Sequence, residues 1–167
     1  MNFIKSTLNT IKLNDPSIHS SLEILLYPFF RVMIYYKIAK FFYDRKRYFF
    51  ARYFSEKGKK KTGIEIHPGA KIGNNFFIDH GEGVVIGETS IIGNNVVIYH
   101  GVTLGGIKKS KEKRHPTIED NVLIGAHAII LGNITIGKNS KIGAGAVVLN
   151  DIPQNSTAVG IPAKIIK

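Results

Sequence analysis

An aliphatic residue returns at every sixth position from Ile66 to Val148, and the series is interrupted only twice. Ile66, Ile72 and Ile78 are in step. Ile86, Ile92, Ile98 and Leu104 follow, and Ile118, Ile124, Ile130, Ile136, Ile142 and Val148 complete the set. Glycine often comes directly after, as at Gly73, Gly87, Gly93, Gly125, Gly137 and Gly143. A small or aliphatic residue often stands four places on, as at Ala70, Val96, Val102, Val122, Ala128, Ser140 and Ala146. A period of six matches neither an amphipathic helix nor a simple strand. It predicts three short strands per turn, about eighteen residues, stacked into a parallel β-helix.

The chain before this repeat reads as helical. Residues 1–14 predict a short helix, broken at Asp15-Pro16-Ser17. Ser20–Tyr43 predicts one helix or two, with a kink near Pro28, and Arg47–Glu56 continues helical. Gly58-Lys59-Lys60-Lys61-Thr62-Gly63 reads as a polar hinge. The expected division is a helical domain over 1–62 and a β-helix over 63–167. A terminal cap is expected at Gly160-Ile161-Pro162-Ala163.

The two interruptions are where side chains can leave the stack. Ile78 and Ile86 are eight apart, so two residues are extra, within Asp79-His80-Gly81-Glu82-Gly83. Leu104 and Ile118 are fourteen apart rather than twelve, and that excess falls in Gly105–Thr117. A polar excursion from a regular solenoid is a loop. Both excursions carry histidine.

His80 is the best candidate base, because imidazole suits removal of a proton from a hydroxyl. Glu65 lies fifteen residues earlier, close to one coil back, where a carboxylate can fix the imidazole tautomer. On spacing alone His80 is equally a turn cap. Arg114, beside His115 and Pro116, suits bidentate capture of a carboxylate. Lys108, Lys109, Lys111 and Lys113 crowd it, so composition alone reads the cluster as a solvated face. His100 and His127 fall at coil positions and read as structural. His67 reads as shaping the first coil, and His19 as a helix-start residue. Histidines 80, 100, 115 and 127 lack the close pairing of a zinc site, so no metal is expected.

Composition narrows this further. The 167 residues contain no cysteine, which removes disulfides and thiolate chemistry, and 44% hydrophobic content supports a sizeable core. Net charge is +11, of which residues 1–62 hold +9 (13 Lys and Arg, 4 Asp and Glu). No nucleic-acid motif accompanies that bias, so a nucleic-acid partner is not expected. Leu22–Tyr43 is apolar, but Arg31, Lys37 and Lys40 make it a poor membrane span. The N-terminus lacks the apolar core of a secretory signal, and a cytoplasmic setting is expected.

Taken together, Gly63-Ile64-Glu65-Ile66-His67-Pro68-Gly69-Ala70, Phe77-Ile78-Asp79-His80-Gly81, Gly83-Val84-Val85-Ile86-Gly87-Glu88-Thr89, Gly101-Val102-Thr103-Leu104-Gly105-Gly106, Arg114-His115-Pro116, Gly143-Ala144-Gly145-Ala146-Val147-Val148 and Gly160-Ile161-Pro162-Ala163 resemble the serine O-acetyltransferase family. The resemblance reaches into the helical part through Asp15-Pro16 and Ser21–Pro28. The repeat is shared by many acyltransferases, whereas the Asp-His-Gly and Arg-His-Pro pair, together with this N-terminal segment, is much more specific.

The resemblance implies a trimeric, left-handed parallel β-helix with an N-terminal α-helical cap and active sites between subunits, as a homotrimer or a dimer of trimers. It implies transfer of acetyl from acetyl-CoA to the L-serine hydroxyl, giving O-acetyl-L-serine for cysteine biosynthesis. His80 would be the base and Glu65 would orient it. Asp15 and Asp79 would hold the serine ammonium, and Arg114 and His115 its carboxylate. Backbone near Gly106, Ala126 and Ala144 would line the coenzyme A groove, with a backbone N–H near Gly106 on the oxyanion and Lys141 on a phosphate. Cysteine would be a feedback inhibitor.

The chain departs from the family pattern at His100, where glutamine is usual, at Ile107-Lys108-Lys109, where Thr-Gly-Lys is common, and at Phe30-Arg31 and Tyr36-Lys37. Members that dock O-acetylserine sulfhydrylase use a tail ending in isoleucine; this chain ends Ile165-Ile166-Lys167, so that complex is not expected. The altered loop motivates one rival, an O-acetyltransferase acting on a sugar or other hydroxyl. The basic aromatic segment Phe29–Phe54 motivates another, a non-catalytic scaffold at a membrane.

Overall fold

The computed structural model describes residues 3–166. The six-residue period becomes three parallel faces of a triangular prism. Face one holds β1 (Glu65–Ile66), β4 (Val85–Ile86), β7 (Thr103–Gly105), β10 (Ile129–Leu131) and β13 (Val147–Val148), in that order. Face two holds β2 (Lys71–Ile72), β5 (Ile91–Ile92), β8 (Thr117–Ile118) and β11 (Thr135–Ile136). Face three holds β3 (Phe77–Ile78), β6 (Val97–Ile98), β9 (Leu123–Ile124), β12 (Lys141–Ile142) and β14 (Thr157–Val159), closed by antiparallel β15 (Lys164–Ile165). The Gly160–Ala163 cap is thus the turn between β14 and β15.

The sixth-position aliphatics fill the prism. All are buried except Ile72, which packs against the core from its rim, and the small residues four places on are buried beside them. Burial at about 25 cal/mol per Å2 of apolar surface is the main drive for stacking.

Register places the interruptions. Glu65 pairs with Val85, twenty residues on, so the first loop adds two residues to its coil. Val85 pairs with Thr103 and Thr117 with Thr135, both eighteen on. Ile91 pairs with Thr117, and Thr103 with Ile129, both twenty-six on. The second interruption is therefore not two six-residue steps with two extra residues. It is a single step from β7 to β8 carrying eight extra residues, since strand β8 follows β7 directly around the prism.

Three edges result. Edge I, from face three to face one, carries residues 79–84, 99–102, 125–128 and 143–146. Edge II, from face one to face two, carries 67–70, 87–90 and the loop 106–116. Edge III carries a ladder of Asn75, Asn95, Asn121, Asn139 and Asn155, each with φ between 54° and 59°. Asparagine tolerates this left-handed turn. Each Nδ2–H donates to the next Oδ1 at 2.9–3.0 Å.

The helices cover the open first coil. α1 spans Phe3–Asn14, and Met1 and Asn2 of the expected helix lie outside the described residues. Ser20–Tyr43 is not a kinked helix: a 3-10 turn at Glu23–Leu26 ends before α2 (Pro28–Asp44), which starts on Pro28 in a first-turn position. His19 starts no helix; its N–H donates to Glu23 Oε2 at 3.2 Å. α3 spans Tyr48–Thr62, so the expected hinge at 58–63 is helical up to Gly63, whose φ of 70° ends it. Gly58 is a packing gap, because a Cβ there would lie 2.9 Å from Tyr35 Cβ on α2. Tyr36 Oη donates to the Ala70 carbonyl at 2.7 Å, and Ser55 Oγ to the Ile66 carbonyl at 3.0 Å. Phe29 meets Phe76 and Phe77 edge-on. The helices thereby shield the exposed end of the stack.

Candidate functional site

Edge I carries the candidate base. His80 takes φ 59° within the two-residue insertion and is exposed there. Its neighbours up the edge are His100, with ring centroids 5.9 Å apart, and then His127, 4.8 Å from His100. Each pair meets edge-to-face. His100 and His127, read from sequence as structural, thus stand in line with His80, and His100 Nδ1 is buried with no hydrogen-bond partner among the described residues. Asp79 is half-buried beside His80, with its N–H on the Ile98 carbonyl.

The end of α1 delivers Asp15 to the same edge. Ser17 donates to Asp15 Oδ1 from both N–H (2.8 Å) and Oγ (2.6 Å), and Tyr27 Oη donates to Oδ2. The Ser17 and Tyr27 hydrogen bonds hold the carboxyl below the usual carboxylate range, and His80 lies close enough to lower it further. A fixed anion next to an imidazole suits a substrate ammonium. Sequence reasoning gave no role to Ser17 or Tyr27.

Edge II carries the other half. The eight-residue loop returns Arg114 and His115 onto the turn Gly87-Glu88-Thr89. Arg114 Nη2 donates to Glu88 Oε2 at 2.7 Å and Nη1 to the Ser110 carbonyl. Among the described residues these contacts engage two of its five N–H donors. Glu88 also accepts from Tyr43 Oη at 2.9 Å. Burial pushes Glu88 up, but the Tyr43 and Arg114 hydrogen bonds outweigh it and hold the carboxyl below its ordinary value. Burial and the Glu88 hydrogen bond raise the Tyr43 hydroxyl to about 12.

His115 is buried, with Nδ1 facing the Thr89 N–H at 3.1 Å and the Thr89 hydroxyl at 2.9 Å. Thr89 Oγ1 already accepts from the Arg114 and His115 N–H groups, at 2.9 and 3.0 Å. Its proton therefore points to Nδ1, which leaves the ring proton on Nε2. Burial, then the Arg114 charge, lowers the His115 pKa. The ring lies flat on Gly87, where a Cβ would come within 2.0 Å of His115 Cδ2. Glu88 and Thr89, to which sequence reasoning gave no role, anchor this half.

The structure does not join every expected pair. Glu65 Oε2 holds Lys59 Nζ at 2.5 Å, and among the described residues no hydrogen bond or ion pair links it to His80. Arg114 and His115 lie on a different edge from His80, Asp79 and Asp15. One six-residue side, about 20 Å at full extension, separates the edges, far more than a serine spans.

The expected coenzyme A residues divide likewise. Ala126 and Ala144 are adjacent on edge I, where the Gly145 N–H donates to the Ala126 carbonyl at 2.8 Å. A Cβ at Gly145 would meet nothing within 4 Å, so this stretch is open, and Lys141 is exposed beside it. An open stretch of small residues with a nearby ammonium suits a pantetheine arm and a phosphate. Gly106 lies instead on edge II beneath Arg114, whose Cγ a Cβ would meet at 3.2 Å. Among the described residues no three His, Asp or Glu side chains are grouped to hold a metal ion, and no helix is long and apolar enough to cross a membrane.

Comparison with known proteins bears on the fold and the family. A family model described as bacterial transferase hexapeptide (six repeats) matches residues 115–150, and one described as hexapeptide repeat of succinyl-transferase matches residues 81–105. A serine acetyltransferase of Helicobacter pylori is 53% identical over 161 residues, covering 96% of this chain and 94% of that protein. A serine acetyltransferase structure in complex with cysteine superposes with a TM-score of 0.94 at 39% identity, covering 98% of this chain and 68% of that one. The Brucella abortus enzyme in complex with coenzyme A superposes with a TM-score of 0.91 at 41% identity, covering 98% and 66%. Similarity of this degree, running through both helices and repeat, identifies the chain as a member of the serine acetyltransferase family, with that family's left-handed parallel β-helix.

Proposed function

We propose that this protein transfers the acetyl group of acetyl-CoA to the hydroxyl of L-serine, at sites formed between edge I of one chain and edge II of the next in a homotrimer. The observation that carries this reading is the split itself. The base and the ammonium-binding carboxylates sit on one edge, and the carboxylate-binding Arg114 and His115 sit on another. A rotationally closed trimer of prisms brings such edges together.

In this arrangement Asp15 and Asp79 hold the serine ammonium, while the neighbour's Arg114 and His115 Nε2–H hold its carboxylate. His80 takes the hydroxyl proton as the oxygen attacks the thioester carbonyl. The new C–O bond forms, the C–S bond breaks, and His80 returns the proton to the departing sulfur. A backbone N–H near Gly106 steadies the oxyanion. Glu65 orients His80 after exchanging its exposed Lys59 partner, a surface pair whose loss costs little. Residues 1–62 form the helical domain that supplies Asp15, and residues 63–167 the acyltransferase domain. Ala126, Ala144 and Lys141 guide coenzyme A. The acetyl donor is a metabolite of the cytoplasm, where we place the reaction, as the step that activates serine for cysteine synthesis. Cysteine differs from serine only in its sulfur, so it competes for the same pocket as a feedback inhibitor.

Thiol release from acetyl-CoA tests this reading. L-serine is expected to drive release, and His80→Ala to lower kcat by about 10²–10⁴, with a smaller fall in Glu65→Gln. Release with sugars or other alcohols but not with serine would refute the serine assignment.

A further inference from the structure

The outer face of the α2–α3 hairpin belongs to neither half-site. It exposes Phe41, Phe49, Phe50 and Tyr53, with Phe49 78% exposed. These rings are not scattered. Phe42 lies 5.4–5.6 Å from Phe41, Phe50 and Phe54, and Phe49 and Tyr53 extend the cluster outward. The Arg45 guanidinium sits 3.6 Å over the Phe41 ring, and Lys57 Nζ lies 5.8 Å over Tyr53. Phe49, Tyr53, Lys57 and Lys60 line one open groove of about 660 Å3 along α3.

Residues 41–61 carry eight Lys and Arg against two carboxylates, Asp44 and Glu56. Both carboxylates already face a cation, Lys40 and Arg52. A second copy of so basic a face would repel the first, whereas an anionic surface would be attracted. Large aromatic rings flanked by Lys and Arg are the side chains that settle at a headgroup boundary. We propose that this face binds an anionic lipid bilayer reversibly, lying on it without crossing it. The enzyme would then work at the inner surface of a negatively charged membrane as well as free in solution.

Vesicle flotation of the full chain tests this, with phosphatidylcholine alone and with phosphatidylcholine plus phosphatidylserine, at low and high salt. The chain is expected to float only with the anionic vesicles and to be released by salt. Lys60→Glu with Lys61→Glu should lower the bound fraction about tenfold or more, and Phe49→Ser should lower it too. Both variants should keep their acetyl transfer, which shows that they fold. Absent flotation, equal binding to neutral vesicles, or unchanged binding by the variants would overturn the proposal. So would retention by RNA in place of vesicles, or a change in oligomeric state on Phe49→Ser, which would make the face a protein contact.

Discussion

His115 owes its place to an absence. Only a residue without Cβ at position 87 lets the imidazole lie where Thr89 can fix its tautomer. Gly87→Ala must push the ring away from the position proposed for the serine carboxylate. Initial rates are expected to show kcat/KM for serine lowered by ~10–100-fold, mostly through KM, with the acetyl-CoA KM unchanged; equal effects on both substrates would contradict this. His67 and His115 are both shifted below the ordinary histidine value near 6.5, burial being the first cause in each. The folded chain keeps them neutral while the unfolded chain takes up protons, so their contribution is intact above that value and is lost as pH falls through it. Tm is expected to drop from about pH 7 to about pH 5.5, and to drop less in a His67→Gln, His115→Gln double variant. Parallel slopes would refute the assignment. His80, Arg114 and His115 were marked as candidates because they interrupt a strict period, while the roles proposed for them came from the resemblance. Glu88 and Thr89 were not, because Thr89 contacts residues 25 and 26 positions away, a separation set by loop length and not by the repeat.

At the level of the element, the period gave the three faces, while the turns that hold them together went unread. The asparagine ladder on edge III does not stand at a fixed sequence spacing, since its members are 20, 26, 18 and 16 residues apart. Asn121→Ala loses two ladder bonds and forces φ 59° on a side chain that resists it. It is expected to cost about 1–3 kcal/mol, seen as a Tm lowered by several degrees. Asn121→Gly keeps the turn and loses only the bonds, so it should be the milder change in thermal denaturation; the reverse order would rule out left-handed strain as the cause. The same limit explains the misread hinge. Glycine usually marks a break, and nothing local reveals that Gly58 serves close packing against Tyr35.

For the whole molecule, the proposed function needs more than one chain, because each edge carries only part of the groups it uses. The sequence signals both half-sites but carries no sign that they face different edges, because that depends on which face each loop leaves. The separation leads to a result that no single-chain site can produce. His80→Ala and Arg114→Ala are each expected to be inactive with serine. Mixed at equal amounts under conditions where subunits exchange, they are expected to form trimers in which some interfaces join an intact His80 to an intact Arg114. Random assembly makes that fraction about one quarter, and serine-dependent thiol release should return to about one quarter of the wild-type rate. Release that stays at the level of the separate variants after proven exchange would place both groups in a site within one chain and contradict the shared interface.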